Sequence, residues 1–182
     1  TPAISDPGAR LVAAVREAGF PVVPIPGANA AAAALCASGF AGAHFLFYGF
    51  LPAKRGERHK ALEALAGLPY MLVFYEAPHR VIEAAADLAA KLGAARRIVI
   101  ARELTKLFET IHVCELGAAA GWLGDSPERI KGEFVLIVEG APASHDGPLA
   151  QAQRVLEILL EELPVKQATV LAARITGARK NE

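Results

Sequence analysis

Short apolar runs alternate with helix-forming stretches along this chain, and turn residues separate them. The run from Tyr70 to Tyr75 is apolar at every position, which is typical of a strand buried on both faces of a sheet. Similar β-branched runs occupy residues 97–101, 110–114 and 134–138. Because helical patterns lie between the runs, the alternation predicts an α/β protein in which these strands form one mixed sheet.

The first part of the chain follows the same alternation but holds fewer strands. Residues 5–8 predict a turn that starts a helix reaching Ala18, and residues 21–25 predict a short strand. The alanine-rich stretch 28–37 predicts a buried helix. These elements are too few for a sheet of their own. The chain also opens on Thr1 inside a turn-rich segment, so we expect sequence to be missing upstream.

Changes in composition predict the domain boundaries. We assign residues 1–46 to the remainder of an N-terminal α/β domain and residues 47–60, which hold the densest basic segment, to a linker. Residues 61–145 form a second α/β domain in this prediction, and residues 146–182 form a helical tail interrupted at Pro164. The predicted architecture is two α/β layers, the first incomplete, with a C-terminal helical tail.

Composition narrows the classes of protein to which the chain can belong. Its 182 residues are 53% hydrophobic, enough to bury a core. The formal net charge is +0, so contact with nucleic acid has to come from local basic clusters. No apolar stretch approaches the roughly 18 residues of a membrane span, and we expect a soluble, cytoplasmic protein. Cys36 and Cys114 lack metal-ligand spacing, so we expect reduced core thiols and no metal site.

Polar motifs follow the predicted strands or precede them, near the edge where open α/β sheets bind ligands. Each motif alone is an ordinary turn or helix entry, so none of them identifies an activity by itself. Together they form the set of candidate site segments, which lie at residues 1–8, 26–30, 76–80, 102–106 and 131–133.

In combination these motifs resemble a known family. The chain contains, in order, Thr-Pro-x-Ile-Ser-Asp-Pro-Gly, Pro-Gly-Ala-Asn-Ala, Gly-Phe-Leu-Pro, Phe-Tyr-Glu-x-Pro-His-Arg, Ala-Arg-Glu-Leu-Thr-Lys and Lys-Gly-Glu-Phe-Val-Leu-Ile-Val-Glu-Gly. This order is similar to that of the small-subunit ribosomal RNA 2′-O-ribose methyltransferase I family, a branch of the tetrapyrrole-methylase superfamily. The resemblance covers essentially all of residues 1–180.

The resemblance implies an activity, a cofactor and a partner. A member of this family would be a two-domain α/β enzyme that 2′-O-methylates a cytidine of 16S ribosomal RNA and is usually a homodimer. Its S-adenosylmethionine would lie in the cleft between the domains, where turn glycines and backbone groups approach it closely. The residues that this resemblance assigns to the cofactor are Thr1, Pro2, Ser5, Gly27, Asn29, Ala30, Tyr75, Ala101, Arg102, Gly132 and Glu133.

A base must remove the proton of the attacking ribose hydroxyl, and three side chains are candidates by type and placement. They are Glu76, His79 and Glu103. Histidine has the ordinary pKa closest to neutral, although His79 could equally be a capping or packing residue. Glu103 lies between two cations, which favours an ion-paired carboxylate over a base. Lys106 and Arg80 could hold RNA phosphate or ease developing negative charge, or they could be solvated residues at a helix end.

The basic segment before the second domain is the candidate RNA-binding segment. Lys54, Arg55, Arg58 and Lys60 follow the aromatic residues 47–50, and cations beside rings are typical of single-strand recognition. The alternative is a charged linker next to an aromatic core strand.

Two other functions stay open at the level of sequence. One is methylation of a tetrapyrrole of the precorrin type, and the other is a catalytically silent fragment for dimerisation and substrate docking. The basic segment and the motif at residues 76–80 favour RNA over a tetrapyrrole. Leu156, Leu159 and Leu163 offer a candidate dimer surface, although such a stripe is more often intramolecular core.

Overall fold

The computed structural model describes residues 1–142 and 148–177, with the backbone alone at residues 148–151. The chain divides into two compact units, Thr1–Ala141 and Pro142–Glu182. The boundary predicted at residue 145 and the end of the predicted tail, residues 178–182, lie outside the described residues. None of the helices in the described ranges is long and apolar enough to cross a membrane.

The first unit carries the sheet. Its helices are α1 (Ala9–Glu17), α2 (Ala30–Ala37), α3 (Arg55–Leu65), α4 (Val81–Leu92) and α5 (Leu116–Gly124). Its strands are β1 (Phe45–Phe50), β2 (Met71–Glu76), β3 (Arg97–Arg102), β4 (Thr110–Glu115) and β5 (Phe134–Val138).

The five strands form one mixed sheet in the order β1-β2-β5-β3-β4. β1 runs parallel to β2, and the other three pairings are antiparallel. β5 occupies the centre and is buried at every residue, because its alternate side chains lie in cores on the two faces of the sheet. The predicted α/β class and the mixed sheet are confirmed, and the aromatic segment adds β1 as a further strand.

Alternate residues of the central strands face two separate cores. Phe74 and Leu136 belong to the core that contains residues of α3, α4 and α5. Val73 and Ile137 belong to the opposite core with Ala34 of α2. Burial of one such large side chain stabilises the fold by about 1.5–3 kcal/mol. The sheet therefore has cores on both faces, as the uninterrupted apolar strands predict.

Two of the local predictions in the first unit are wrong. The segment at residues 21–25 is not a strand, and Val23 and Ile25 are exposed. A strand needs a neighbour for its backbone hydrogen bonds, and none of the strands in the described part of the chain pairs with this segment. Cys36 is exposed on α2, so it is not a core residue, whereas Cys114 is half-buried; both thiols are free.

The sequence reading missed helix α5 and assigned residues 47–60 to a linker. Three glycines weaken the helical signal of α5, since glycine costs about 1 kcal/mol in a helix relative to alanine. Residues 47–60 contain the end of β1 and the start of α3. The division into domains around this segment stays a prediction.

The second unit contains α6 (Pro148–Leu160) and α7 (Val165–Thr176). Pro164, the residue before α7, separates the two helices, as the sequence predicts. Ala168 and Ala172 are buried one turn apart on α7, which is the spacing of one helix face.

A buried charge cluster connects α3 with α4. Arg58 is 1% exposed, and its Nε donates to Asp87 Oδ2 over 2.8 Å. Its Nη2 lies 2.6 Å from Glu83 Oε1 and 2.7 Å from Asp87 Oδ2. Its Nη1 donates to the backbone carbonyls of Pro52 and Ala53 over 3.3 and 3.2 Å. Every N–H of this guanidinium therefore has an acceptor, as a buried charge requires.

Asp87 is the shared acceptor of the cluster. Its carboxylate is 2% exposed, and Oδ1 accepts from Arg55 Nε over 3.2 Å and lies 2.9 Å from His59 Nε2. Burial alone would raise the pKa of Asp87, but hydrogen bonds from His59, Arg58 and Arg55 hold it below its usual value. Asp87 is therefore charged at neutral pH and compensates Arg58.

We predict that Asp87→Asn destabilises the first unit by about 3–5 kcal/mol, because it leaves the Arg58 charge buried without its main partner. Urea unfolding followed by circular dichroism measures the change. Glu63→Gln is the matched control, because Glu63 pairs with Lys91 across the same two helices but is 57% exposed. The control is expected to change stability little.

The lowered pKa of Asp87 leads us to predict that the stability of the first unit depends on pH. Because the folded-state pKa of Asp87 is lowered, its contribution is present above the unfolded-state pKa and is lost as the pH falls through the folded-state pKa. Asp87→Asn removes that part of the acid dependence. Equal unfolding midpoints of wild type and Asp87→Asn across this acid range would contradict the role assigned to the cluster.

Candidate functional site

A cavity of about 370 Å³ lies at the edge of the sheet where β1, β2 and β3 end and β5 begins. This is the edge at which the sequence placed the polar motifs. The lining combines aliphatic and aromatic side chains with two carboxylates, and its residues are Ala30, Phe50, Tyr75, Glu76, Ala77, Pro78, Leu104, Glu133, Phe134 and Val135.

Tyr75 joins the cavity to the start of α2. Its ring packs edge-on against Phe50, with centroids 5.7 Å apart, and its hydroxyl accepts a hydrogen bond from the Ala31 N–H over 3.2 Å. One residue earlier in α2, Ala30 lines the cavity. Asn29 caps the helix, with Oδ1 accepting from the Ala32 N–H over 3.0 Å, so its amide oxygen is committed to the turn.

Glu76 is the buried acid of the cavity. It is 2% exposed, and Oε1 accepts from the Ala77 N–H over 2.8 Å. Burial raises the pKa of Glu76, opposed by the hydrogen bond from the Ala77 N–H and by electrostatic interactions with Arg80, Arg58 and His79. A carboxylate whose pKa is raised in this way is a stronger base than an exposed one.

Arg80 holds Glu76 to the end of β1. Its Nη2 lies 3.4 Å from Glu76 Oε2 and donates to the carbonyls of Leu51 and Pro52 over 2.8 and 3.2 Å. The side chain is 20% exposed, and its buried Nε has no hydrogen-bond partner among the described residues. The guanidinium is therefore anchored to the protein through Nη2.

A second carboxylate cluster forms the rim of the cavity. Lys106 Nζ lies 2.8 Å from Glu103 Oε1 and 2.9 Å from Glu133 Oε2, and Glu103 Oε1 also accepts from the Glu133 N–H over 2.9 Å. The hydrogen bond that Lys106 donates to Glu103 lowers the pKa of Glu103 and raises the pKa of Lys106. Gly132 is required here, because its φ is +89° and a Cβ would overlap the Glu103 side chain.

Arg102 shapes the loops beside this rim. Its two Nη atoms donate to the carbonyls of Phe108, Glu128 and Lys131 over 2.9–3.1 Å. The guanidinium thus ties two loops together and is not oriented toward the cavity lining. The preceding residue, Ala101, is fully buried in the core that contains α2, so its side chain offers a ligand no surface.

The first residues of the chain pack on the turn before α2 and on β1. Thr1 Oγ1 donates to the Ala28 carbonyl over 2.7 Å. Ser5 adopts a positive φ of 51°, and a Cβ added to Gly49 would lie 2.8 Å from Ser5 Oγ. Gly49 sits at an irregularity of β1 with a φ of +83°, so only glycine fits this close approach without strain.

The structure brings some of the predicted site residues together and leaves others apart. Four of them line the cavity: Ala30, Tyr75, Glu76 and Glu133. Glu103, Lys106 and Gly132 lie on the rim by their contacts with Glu133 or with each other. The remaining cofactor and catalytic candidates, which are not among the lining residues, are Thr1, Pro2, Ser5, Gly27, Asn29, His79, Ala101 and Arg102.

The lining residues that the sequence reading missed are mostly apolar. Ala77, Pro78 and Leu104 lie inside the candidate motifs, but their apolar side chains do not by themselves indicate a site. Phe134 and Val135 belong to a predicted strand, where their residue type indicates core. Position at the carboxyl end of a strand, or at the start of a neighbouring antiparallel one, was the available signal.

The predicted RNA-binding residues separate into buried and exposed groups. Arg58 is buried with every donor occupied, and direct contact with RNA would require the cluster to open. Arg55 is 67% exposed although its Nε contacts Asp87. Lys54 is 82% exposed and lies 3.3 Å from Glu57, and Lys60 is exposed. Within residues 1–142 and 148–177, no group of three or more His, Cys, Asp or Glu side chains is arranged for a metal ion.

Two family models match the chain. Residues 1–120 match the model described as Tetrapyrrole (Corrin/Porphyrin) Methylases, and residues 146–182 match the model described as RsmI C-terminal HTH domain.

Curated relatives align along the whole chain. Ribosomal RNA small subunit methyltransferase I of Escherichia coli O157:H7 is 48% identical over 181 residues, which are 100% of this chain and 63% of that protein. The proteins of the same name from Haemophilus influenzae and Pseudomonas aeruginosa are 50% and 48% identical, over 100% of this chain and 65% of theirs. The chain thus spans 63–65% of the length of these relatives.

Solved structures share the fold. The methyltransferase CobJ superposes with a TM-score of 0.53 at 27% identity, over 72% of this chain and 56% of that chain. The cobalt precorrin-4 methyltransferase CbiF superposes with a TM-score of 0.53 at 12% identity, over 71% of this chain and 56% of that chain.

Proposed function

This chain belongs to the tetrapyrrole (corrin/porphyrin) methylase family, and on that premise we propose that it carries the reaction site of an rRNA methyltransferase. The enzyme would use S-adenosylmethionine to methylate the ribose 2′-hydroxyl of a cytidine in small-subunit (16S) ribosomal RNA. Identity of 48–50% to relatives named ribosomal RNA small subunit methyltransferase I supports this substrate class. At the site, the buried acid Glu76 in an otherwise largely apolar cavity is the observation that carries the proposal.

The cavity suits the cofactor by size and lining. A volume of about 370 Å³ falls within the usual range of about 300–1,000 Å³ for ligand pockets. The rings of Tyr75 and Phe50 offer π faces to the adenine base or to the sulfonium of the cofactor, and the carboxylates of Glu76 and Glu133 offer negative charge to its cationic groups. Bound S-adenosylmethionine would supply an activated methyl group. We propose that the remaining cofactor candidates act through the turns at residues 1–5 and 27–30.

We propose that Glu76 accepts the proton of the ribose hydroxyl. Of the three base candidates it alone lines the cavity, and burial raises its pKa, which makes it a stronger base than an exposed carboxylate. His79 is exposed and outside the lining. Glu103 is paired with Lys106, which lowers its pKa and weakens it as a base. Lys106 is assigned to the rim, where its charge lies near the incoming phosphate backbone.

We propose that the exposed cations at the start of α3 contact RNA phosphates. Lys54, Arg55 and Lys60 are exposed, whereas Arg58 is excluded because its guanidinium is buried. Since the net charge of the chain is +0, affinity for RNA depends on such local clusters.

Two further parts of the proposal concern assembly and location. We propose that the enzyme is a homodimer, which sedimentation equilibrium of the full-length protein tests; a monomer at micromolar concentration overturns it. We also propose that it acts on ribosomal subunits in the cytoplasm, which cell fractionation tests.

Tetrapyrrole methylation is the second candidate function. The description of the matching family model favours it, whereas the curated relatives at 48–50% identity favour RNA. Transfer of label to a precorrin-type acceptor would distinguish the two.

We expect the full-length protein that carries this chain to transfer one methyl group from radiolabelled S-adenosylmethionine to small ribosomal subunits isolated from cells that lack the enzyme. Mapping of the label is expected to place it on one ribose 2′-oxygen. Transfer to a tetrapyrrole with none to RNA would replace the first candidate by the second. Absence of transfer to either, with cofactor binding intact, would support a docking role.

We expect Glu76→Gln to lower kcat about 10²–10⁴-fold, the usual contribution of a general base. Its matched control is Glu128→Gln, because Glu128 is 72% exposed and pairs with Lys131 outside the cavity lining. Single-turnover methyl transfer measures both variants. If Glu76→Gln retains wild-type kcat while it folds normally, the proton acceptor lies elsewhere.

We expect Lys54→Ala and Lys60→Ala each to weaken RNA binding and to reduce the slope of log K against log salt by about one. Lys91→Ala is the control, since Lys91 pairs with Glu63 on α3. Filter binding to small-subunit RNA at several salt concentrations gives the slopes. Unchanged slopes would show that the start of α3 is a solvated surface only.

A further inference from the structure

We propose that Arg80 is a positioning residue of the reaction, which holds the Glu76 carboxylate in place at the cavity by anchoring it to the end of β1. This inference rests on the proposed function, since it concerns the same acid. It differs from the role that the sequence suggested for Arg80, which was contact with RNA phosphate.

Arg80 links two parts of the site that are distant in sequence. Its Nη2 donates to the Leu51 and Pro52 carbonyls over 2.8 and 3.2 Å and lies 3.4 Å from Glu76 Oε2. Glu76 Oε1 is fixed on the other side by the Ala77 N–H over 2.8 Å. Each carboxylate oxygen thus has one donor, and together they fix the rotation of the carboxylate in the cavity wall.

The anchor of Arg80 is itself rigid. The Pro52 carbonyl that receives Arg80 also receives the Arg58 Nη1 over 3.3 Å, and Arg58 is held by Asp87. Arg80 therefore connects Glu76 to the buried charge cluster through one backbone carbonyl. Such support by neighbouring residues keeps a reacting group in productive geometry.

Few charged groups act on Glu76, so the contribution of Arg80 to the pKa of Glu76 can be measured. Arg80 and His79 precede α4, Arg58 lies on α3, and Glu133 also lines the cavity. Electrostatic interactions with Arg80, Arg58 and His79 lower the pKa of Glu76 against the larger effect of burial, and Arg80 contributes most among the three residues. Removal of the Arg80 charge is expected to raise the pKa of Glu76 further.

Exposure argues against a phosphate contact at Arg80. The side chain is 20% exposed, and the nitrogen with identified acceptors, Nη2, is directed at Leu51, Pro52 and Glu76. A bidentate phosphate contact uses two neighbouring nitrogens of the guanidinium, and here Nε is buried and Nη2 is bound to protein acceptors. The two roles therefore predict different kinetic signatures.

The test compares Arg80→Met and Arg80→Lys with wild type in methyl transfer to small ribosomal subunits across pH. In Arg80→Met the acidic limb of the kcat profile is expected to move to higher pH. Activity on that limb should fall on the order of tenfold, with a smaller loss at the alkaline plateau. KM for RNA and its salt dependence should stay unchanged. Arg80→Lys retains a charge without the planar fork, so a smaller shift of the limb is expected.

Double-mutant analysis separates positioning from general structural damage. In a Glu76→Gln background, Arg80→Met is expected to lower kcat by less than about twofold further, because the effects of residues that act as a unit are not additive. Arg129→Met is the matched control, since Arg129 is a partly buried arginine that contacts Trp122 and Asp125 outside the lining. It should leave the acidic limb in place.

Three outcomes overturn the proposal. They are an equal loss of kcat at all pH values, a full additional loss in the Glu76→Gln background, or an increase in KM for RNA with a reduced salt slope. The last outcome would restore the phosphate contact. If no RNA methylation is found at all, NMR titration of the labelled Glu76 carboxyl in wild type and Arg80→Met still tests the contact, and an identical titration would reject it.

Discussion

The burial of the Arg58 guanidinium is the constraint on which the arrangement of the first unit depends. A charge removed from water is tolerated only when its donors and its charge are compensated. Here the compensation comes from Asp87 and Glu83 on α4 and from the carbonyls of Pro52 and Ala53 after β1. One side chain therefore fixes the position of α3, the approach of α4 and the path of the chain that leaves the sheet. That path begins at Phe50, the last residue of β1, which lines the cavity.

Much of the fold could be predicted because its central strands are buried on both faces. β2 and β5 are almost uninterrupted apolar runs, and their burial along the strand is nearly complete. Prediction failed where the environment and not the residue type decides the structure. Val23 and Ile25 have strand-forming side chains but no neighbouring strand in the described chain. α5 has glycines that disfavour a helix, yet Leu116 and Leu123 are fully buried in the core, and tertiary packing overrides propensity.

The sequence predicts the location of the candidate site better than it predicts the roles of the individual residues. The motifs at residues 76–80 and 131–133 meet at one cavity, as their position at strand ends indicates. Residue type alone misjudged Arg58, which looked like one of four cations for RNA. Its spacing from Leu62 and Leu65 puts it on the buried face of α3, so the helical period held the signal. The role of Arg102 could not be predicted from the sequence, because this side chain connects two loops through backbone carbonyls, and no sequence pattern indicates such contacts.

Arg58 and Arg80 show how the same residue type can serve stability at one point and the site at another. Both donate to the Pro52 carbonyl, so both contact the same backbone segment after β1. Arg58 has every donor occupied, and its partner Asp87 has a lowered pKa, which is the state of a permanently charged structural pair. Arg80 leaves its Nε without a partner among the described residues, and its partner Glu76 has a raised pKa because burial outweighs the cations. A fully compensated carboxylate is a poor base, whereas a partly compensated one at a cavity retains affinity for a proton. The incomplete compensation of Glu76 is therefore the property that separates the site from the scaffold beneath it.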